Sequence, residues 1–428
     1  MPTVICGHRY ILTKNVKNIY KLFSYNILIG NKKFMEFIMK VIKNFFCFCM
    51  LIFFFITHSV IAKTFIQPQN PLPNLSLLKE AMHSINLAGS FLIKNQMDNG
   101  SWKNDPAITS LVLYALLLDP LYNPNQTSEK AISKGLAFVE QFVKPDGGIY
   151  RKEYRNYVTS VCLLAFTESN LIQYKDIIKN AKNFLITFQV DEGEGFEKSH
   201  PYYGGIGYGG DDRPDLSNTQ FALDAIKAAE NFEARFKGIP ETIEKIETEE
   251  KQMGLHWKKA LVFLSRCQNV KQVNQMPYAS DDGGFIYETG TYKKERSHSY
   301  GSMTYAGVKS LLHANIQKSD IRLQKAVKWI SNNYTLEENP GFGSTSLYYY
   351  YMTFAKCLHI LDEDIIIDQK HKKHDWRTEY LKKLISLQHE EGYWLNSNGR
   401  FYENVKVMVT AYSVIGSKFA LNKNRGIK

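Results

Sequence analysis

The chain has 428 residues, 44% apolar and 22% charged, a balance that excludes a disordered protein. Its formal charge is +11, but residues 1–62 hold eight Lys or Arg against the single acid Glu36, so +7 sits there and +4 on the remainder. A body with that balance lacks a basic footprint, and no nucleic-acid partner is expected.

In chain order, residues 39–62 read as a secretory signal peptide. Met39 to Asn44 is a basic n-region, Phe45 to Ile56 an apolar run, and Val60-Ile61-Ala62 a cleavage site with small residues. Cleavage near Ala62 and export to the periplasm or another extracytoplasmic compartment are expected; retention of the leader as an anchor is the alternative. Residues 1–38 precede any ordinary n-region, so translation is expected to start at Met35 or Met39. Residues 63–74 read as a linker, 75–421 as the folded body and 422–428 as a basic tail. Cys162, Cys267 and Cys357 each fall in an apolar helical pattern and read as buried free thiols.

The body repeats itself. Helical stretches end in Gly turns followed by an aromatic or apolar residue. The turns are Asn99-Gly100-Ser101-Trp102, Asp146-Gly147-Gly148-Ile149, Gly193-Glu194-Gly195-Phe196, Asp282-Gly283-Gly284-Phe285, Asn339-Pro340-Gly341-Phe342 and Glu391-Gly392-Tyr393-Trp394. A period of about 50 residues predicts a repeat fold. Before each turn stands an amphipathic helix, as over 81–96. After it stands a helix apolar on nearly every side: 109–118, 159–166, 219–229, 302–312, 344–361 and 408–421. Two concentric rings follow, with the apolar helices inside. The fold class is all-α, a single (α/α)6 toroid, since a closed ring leaves no apolar end to cap. The acidic stretch 230–251 reads as a solvated helix or connector, and His371 and His374 beside two lysines as an exposed charge run.

Ala88 to Gln96 with Gly100-Ser101-Trp102 resembles the Gln-Trp repeat of squalene–hopene cyclases. Lys134 to Val139, and Gln388 to Trp394, are further copies; the other turns keep the Gly and lack the Gln. The resemblance, over residues 75–421, is to the squalene–hopene cyclase and prenyltransferase β-subunit superfamily. It implies that Gln and Trp staple neighbouring repeats, and that a central apolar cavity takes an isoprenoid or similar lipid. An exported terpene-cyclase or prenyltransferase-like protein is therefore the first expectation. A non-catalytic binding protein on the same scaffold, or a carbohydrate-active toroid using Asp211, Asp212 and Asp282, are the others. Peripheral membrane contact stays open.

The family's D-x-D-D-T-A acid motif has its best match in Asp215-Leu216-Ser217-Asn218-Thr219-Gln220. Ser217 and Asn218 replace two acids, and neither is a strong proton donor. Asp211, Asp212 and Asp215 are the catalytic candidates, because paired carboxylates can share a proton. Asp215 also reads as a helix N-cap. Tyr202, Tyr203, Tyr208, Arg213, Asn218, His298, Tyr300, Tyr305 and Tyr349 are the substrate-binding candidates. Of Tyr348 to Tyr351, two rings are expected to face the ring's centre. Gly204 to Gly210 follows no strand and reads as a loop allowing close backbone approach rather than a dinucleotide site. His298 lacks a D-x-C partner, so no zinc, and no other cofactor, is expected.

Overall fold

The computed structural model describes residues 75–118, 126–209, 213–236, 254–290 and 298–422, with Lys32, Glu36 and Lys40. Met1–Pro71 divides from the remainder as a separate unit. The leader apart from Lys40, the linker, Asp211, Asp212, most of the acidic stretch and the tail apart from Asn422 lie outside the described residues.

Twelve α-helices are described in the body: α1 (Leu75–Lys94), α2 (Pro106–Leu117), α3 (Gln126–Glu140), α4 (Arg155–Ser169), α5 (Lys175–Ile186), α6 (Leu216–Phe236), α7 (Leu255–Cys267), α8 (Gly301–His313), α9 (Ile321–Asn332), α10 (Leu347–Leu361), α11 (Trp376–Leu387) and α12 (Lys406–Leu421). The even-numbered helices form the inner ring. Each packs on its two neighbours, from α2 through α12, and α12 packs back on α2. The ring is closed.

The odd-numbered helices lie outside and bury one face. On α1 that face is Leu77, Ala81, Ser84, Ile85, Ala88 and Leu92, a helical stripe. Inner helices are buried on nearly every side, as on α12 from Val407 to Lys418.

One turn chemistry recurs around the ring. Gln96 Nε2 donates to Gly100 O and across to Ala131 O of the next outer helix, at 2.8 Å each. Gln189 does the same to Gly204 O and His256 O, Gln268 to Gly283 O and Arg322 O, and Gln388 to Gly392 O and Ser84 O. The Gln is thus kept in four repeats, two more than the turn spacing indicated. The third repeat turn is Gly204-Gly205-Ile206, not Gly193 to Phe196. An insertion separates Gln189 from its glycine and hides the pattern in the sequence.

Gly204 sits at φ +86° against Lys259 O, where any Cβ would collide with that carbonyl. The Gly-rich segment is therefore a repeat turn pressed on α7. A threonine one turn into the inner helix locks each turn: Thr109, Thr159, Thr219, Thr304 and Thr410 accept from the backbone N–H of Trp102, Ile149, Ile206, Phe285 and Trp394. The fifth repeat differs. There Asn339 holds Ser302 on the neighbouring inner helix.

Trp102 is fully buried, and its Nε1 donates to Leu92 O at 2.6 Å. Cys162, Cys267 and Cys357 are buried free thiols. His374 departs from its reading as an exposed charge. It is buried on a short strand, β2 (Lys373–Asp375), paired with β1 (Ile365–Ile367), between Asp368 and Glu379. Among the described residues no helix is long and apolar enough to cross a membrane.

Candidate functional site: the toroid axis and its mouth

Residues at equal depth in different inner helices meet, so these helices run parallel and their N-termini open on one face, the mouth. Parallel dipoles favour negative charge there and positive charge at the far end. The side chains follow this rule. Carboxylates cap three of the inner helices at the mouth: Asp105 on α2, Asp215 on α6 and Glu403 on α10. Lysines occupy the deeper half, and Lys418 Nζ donates to Ala115 O near the end of α2 at 2.6 Å.

The axis is crossed by two tiers. The upper tier is aromatic. Tyr157 of α4, Phe221 of α6, Tyr349 of α10 and Tyr412 of α12 form a chain of rings with centroids 5.2, 5.8 and 6.3 Å apart. The hydroxyls of Tyr157 and Tyr412 lie 3.5 Å apart, which closes the chain into a loop. Ser217 Oγ lies 3.3 Å from the Tyr349 hydroxyl. Tyr157, Ser217 and Tyr349 are half-buried, so the tier is the floor of the mouth.

The lower tier is charged. Asp224 of α6 receives Lys309 of α8 at 2.5 Å and Lys356 of α10 at 2.8 Å on one oxygen, with His313 Nε2 3.1 Å from the other. All but His313 are almost fully buried. Burial would raise the Asp224 pKa, but the two ammonium groups hold it well below the carboxylate range. Burial pushes Lys309 down to about 8 against the pull of Asp224. Lys356 is raised despite burial, by Asp224 and Tyr114. Gln220 joins the tiers: its Oε1 accepts from Lys309 at 2.5 Å and its Nε2 donates to the Tyr349 hydroxyl at 3.1 Å.

Sequence reasoning missed this cluster by treating the inner helices as uniformly apolar. The signal was Asp224, Lys309 and Lys356, a charged residue in the middle of each of three inner helices.

The candidates from sequence separate into groups. Asp215 is 3% exposed and caps α6, with Oδ1 accepting from Asn218 N at 2.8 Å and Oδ2 from Asn218 Nδ2 at 2.7 Å. Burial raises its pKa to about 6, against hydrogen bonds from Asn218 and Tyr287 that lower it. Asn218 is buried behind it, and Arg213 is exposed. Tyr208 is at the mouth, edge-on to Tyr154.

Tyr203 faces the outer ring instead, where its hydroxyl donates to Glu192 beside Lys259. Tyr202 packs on His200 and Phe196 in the preceding loop. Tyr300 is buried and stacks on Phe342; His298 is exposed, 3.2 Å from Gly341 O. Tyr305 packs on Tyr350 and Phe354, away from the floor.

Of the four consecutive tyrosines, Tyr349 alone joins the floor. Tyr350 and Tyr351 turn outward and donate to Thr335 O and Leu336 O at 2.7 Å, and Tyr348 packs edge-on to Tyr351. Asp282 holds its own turn through Gly284 N and Ser299 Oγ. Among the described residues no cluster of three or more His, Cys, Asp or Glu forms a metal site.

No family model matches the chain, and no curated protein matches it in sequence. Among solved structures, a variant of the type II terpene cyclase MstE from Scytonema, in complex with merosterolic acid A, is 14% identical. The match has a TM-score of 0.49 and covers 81% of this chain and 98% of that one. A protein from Actinoplanes is 12% identical with a TM-score of 0.44, over 80% of this chain and all of that one. An alpha-amylase from Clostridium perfringens is 12% identical with a TM-score of 0.43, over 78% and 97%. The inner helices close on themselves and the glutamine staples recur around them, so the chain folds as a single (α/α)6 toroid.

Proposed function

We propose that the protein takes up an isoprenoid or a similar apolar chain through the mouth and seats it on the aromatic floor. The observation that carries this reading is the closed loop of Tyr157, Phe221, Tyr349 and Tyr412, four rings from four different inner helices. Aromatic faces and edges give an apolar chain a large contact area in a fixed shape. Native mass spectrometry of protein purified from its own envelope tests it. A retained lipid, lost on Phe221→Ala with the fold intact, is expected; no retained lipid, and no uptake of an added C20 isoprenoid, would reject it.

Turnover is a second reading, favoured by one observation: Asp215 is buried at the mouth with its pKa near 6, where a carboxyl holds a proton that it can give up. It would act as the acid, with Asp211 and Asp212 beside it in sequence, because Ser217 stands where the family's motif has its middle acid. Asp215→Asn should then abolish product formation from an isoprenoid substrate while leaving its binding unchanged. Export is part of the proposal: N-terminal sequencing should find the mature chain starting at Lys63.

A further inference from the structure

The polar groups under the floor have a fixed direction. Lys309 can only donate, so the Gln220 atom facing it at 2.5 Å is the carbonyl oxygen. The amide nitrogen therefore faces Tyr349 and donates to its hydroxyl at 3.1 Å. The Tyr349 oxygen is thus an acceptor toward Gln220, and its own proton points elsewhere. Ser217 Oγ, 3.3 Å away, is the adjacent partner. Whichever of these two hydroxyls donates to the other, one proton is left over at the end of the chain. Among the described residues no acceptor takes it.

Both side chains are half-buried, so this end of the chain is partly open to solvent. The chain is anchored on an ammonium group 1% exposed, and a charge-assisted series of hydrogen bonds makes its last donor stronger. A hydrocarbon seated on the floor would strip water from that donor and leave it unpaired, which is the costly outcome for a buried polar group.

We infer that the Tyr349–Ser217 pair is a specificity determinant that donates to an oxygen of the ligand, so that the ligand is an oxygenated isoprenoid, carrying a carbonyl or carboxylate, and not a hydrocarbon. This rests on the reading that the mouth takes an isoprenoid chain, and it adds which atom of the ligand is recognised. Gln220 is a positioning residue: it passes the direction set by Lys309 to Tyr349.

The test compares a C20 isoprenoid carboxylic acid with a saturated C20 isoprenoid hydrocarbon. Each is presented to the full chain in the same detergent and scored by competition in native mass spectrometry. The acid should bind about tenfold to a hundredfold tighter. Tyr349→Phe combined with Ser217→Ala, which removes both hydroxyls, should bring the acid down to the level of the hydrocarbon and leave the hydrocarbon unchanged. Gln220→Glu gives a second route that keeps the ring. Its carboxylate accepts from both Lys309 and Tyr349, turns the tyrosine proton downward, and should erase the same preference. Equal binding of acid and hydrocarbon by the unaltered protein would overturn the inference while leaving the isoprenoid reading intact. A preference that survives both variants would do the same. Binding of neither probe would overturn both.

Discussion

Asp224→Asn is the perturbation that most directly tests how the axis is held. The asparagine keeps the size and one acceptor oxygen but removes the carboxylate that, among the described residues, pairs with both Lys309 and Lys356. Lys356 retains the faces of Tyr114 and Phe419, 5.4 and 5.7 Å away, so it is the cation that stays charged. Lys309 keeps only neutral amide acceptors, Gln220 and the new asparagine, and yields its proton. Lys309 already titrates near 8 in the unaltered protein, so neutralising it at pH 7 gives up about 1.4 kcal/mol for the roughly one pH unit between them. The lost ion pairs of Asp224 add to this, and broken buried ion pairs cost about 3–5 kcal/mol.

The sign follows from linkage. In the variant the unfolded chain binds one more proton than the folded one from neutral pH up to about 10.4, so stability rises with pH by up to about 1.4 kcal/mol per unit. In the unaltered protein Lys309 titrates near 8, so it contributes no such rise between pH 6 and 7.5. Urea unfolding followed by far-UV circular dichroism, repeated at several pH values between 6 and 9, measures both. A loss below about 1 kcal/mol at pH 7, or a variant whose deficit is flat with pH, would refute the account of Asp224 as the shared counter-ion.

Other expectations follow from the same contacts. Trp102→Ala removes a fully buried indole and should cost about 3–5 kcal/mol in denaturant melts; a loss under about 1 kcal/mol would contradict its place in the core. Asp215→Asn keeps an oxygen for the Asn218 N–H, and asparagine caps about as well as aspartate. Because the Asp215 pKa is raised to about 6, its stabilisation is complete below about pH 4 and is lost as pH rises through 6. The asparagine variant should therefore melt at or above the unaltered protein at pH 7, the gain being at most about 3 kcal/mol; a marked fall would reject this. Gly392→Ala, at φ +92° with its new Cβ 2.5 Å from Leu87 O, should destabilise the first-to-last seam as much as Gly147→Ala destabilises an interior one. Calorimetry showing a negligible effect at Gly392 would mean the ring is not closed in solution.

The architecture was legible because it is written in periodicities that local physics enforces. Amphipathic and apolar helices alternate, and the Gly turns punctuate them. What misled was length. Gln189 and Gly204 do the work of Gln96 and Gly100, but they stand 15 residues apart rather than 4, and the inserted chain placed Gly193 to Phe196 at the expected interval instead. The site was legible only in part. Tyr349 was found because an aromatic run on an inner helix must send a ring to the axis. Tyr305, Tyr202 and Tyr203 were drawn in by type and position, and helical phase and the insertion turn them elsewhere. Asp224, Lys309 and Lys356 come together only when three distant helices are set side by side, and no local pattern in any one of them reports the other two.

The seam between first and last hairpins has a consequence for how the protein is made. Gln388 reaches Ser84 across 304 residues of chain, and α11 and α12 cover the flank of α1 that nothing earlier in the sequence can cover. Every other seam joins consecutive hairpins and can form as the chain emerges, whereas this one waits for the final segment and carries the largest loop-closure entropy. Until then α1 presents an apolar edge, with Ser84 O lacking its Gln388 donor. A second copy carries the same final hairpin and can satisfy that edge equally well, so concentration during refolding sets the division between monomeric rings and exchanged dimers.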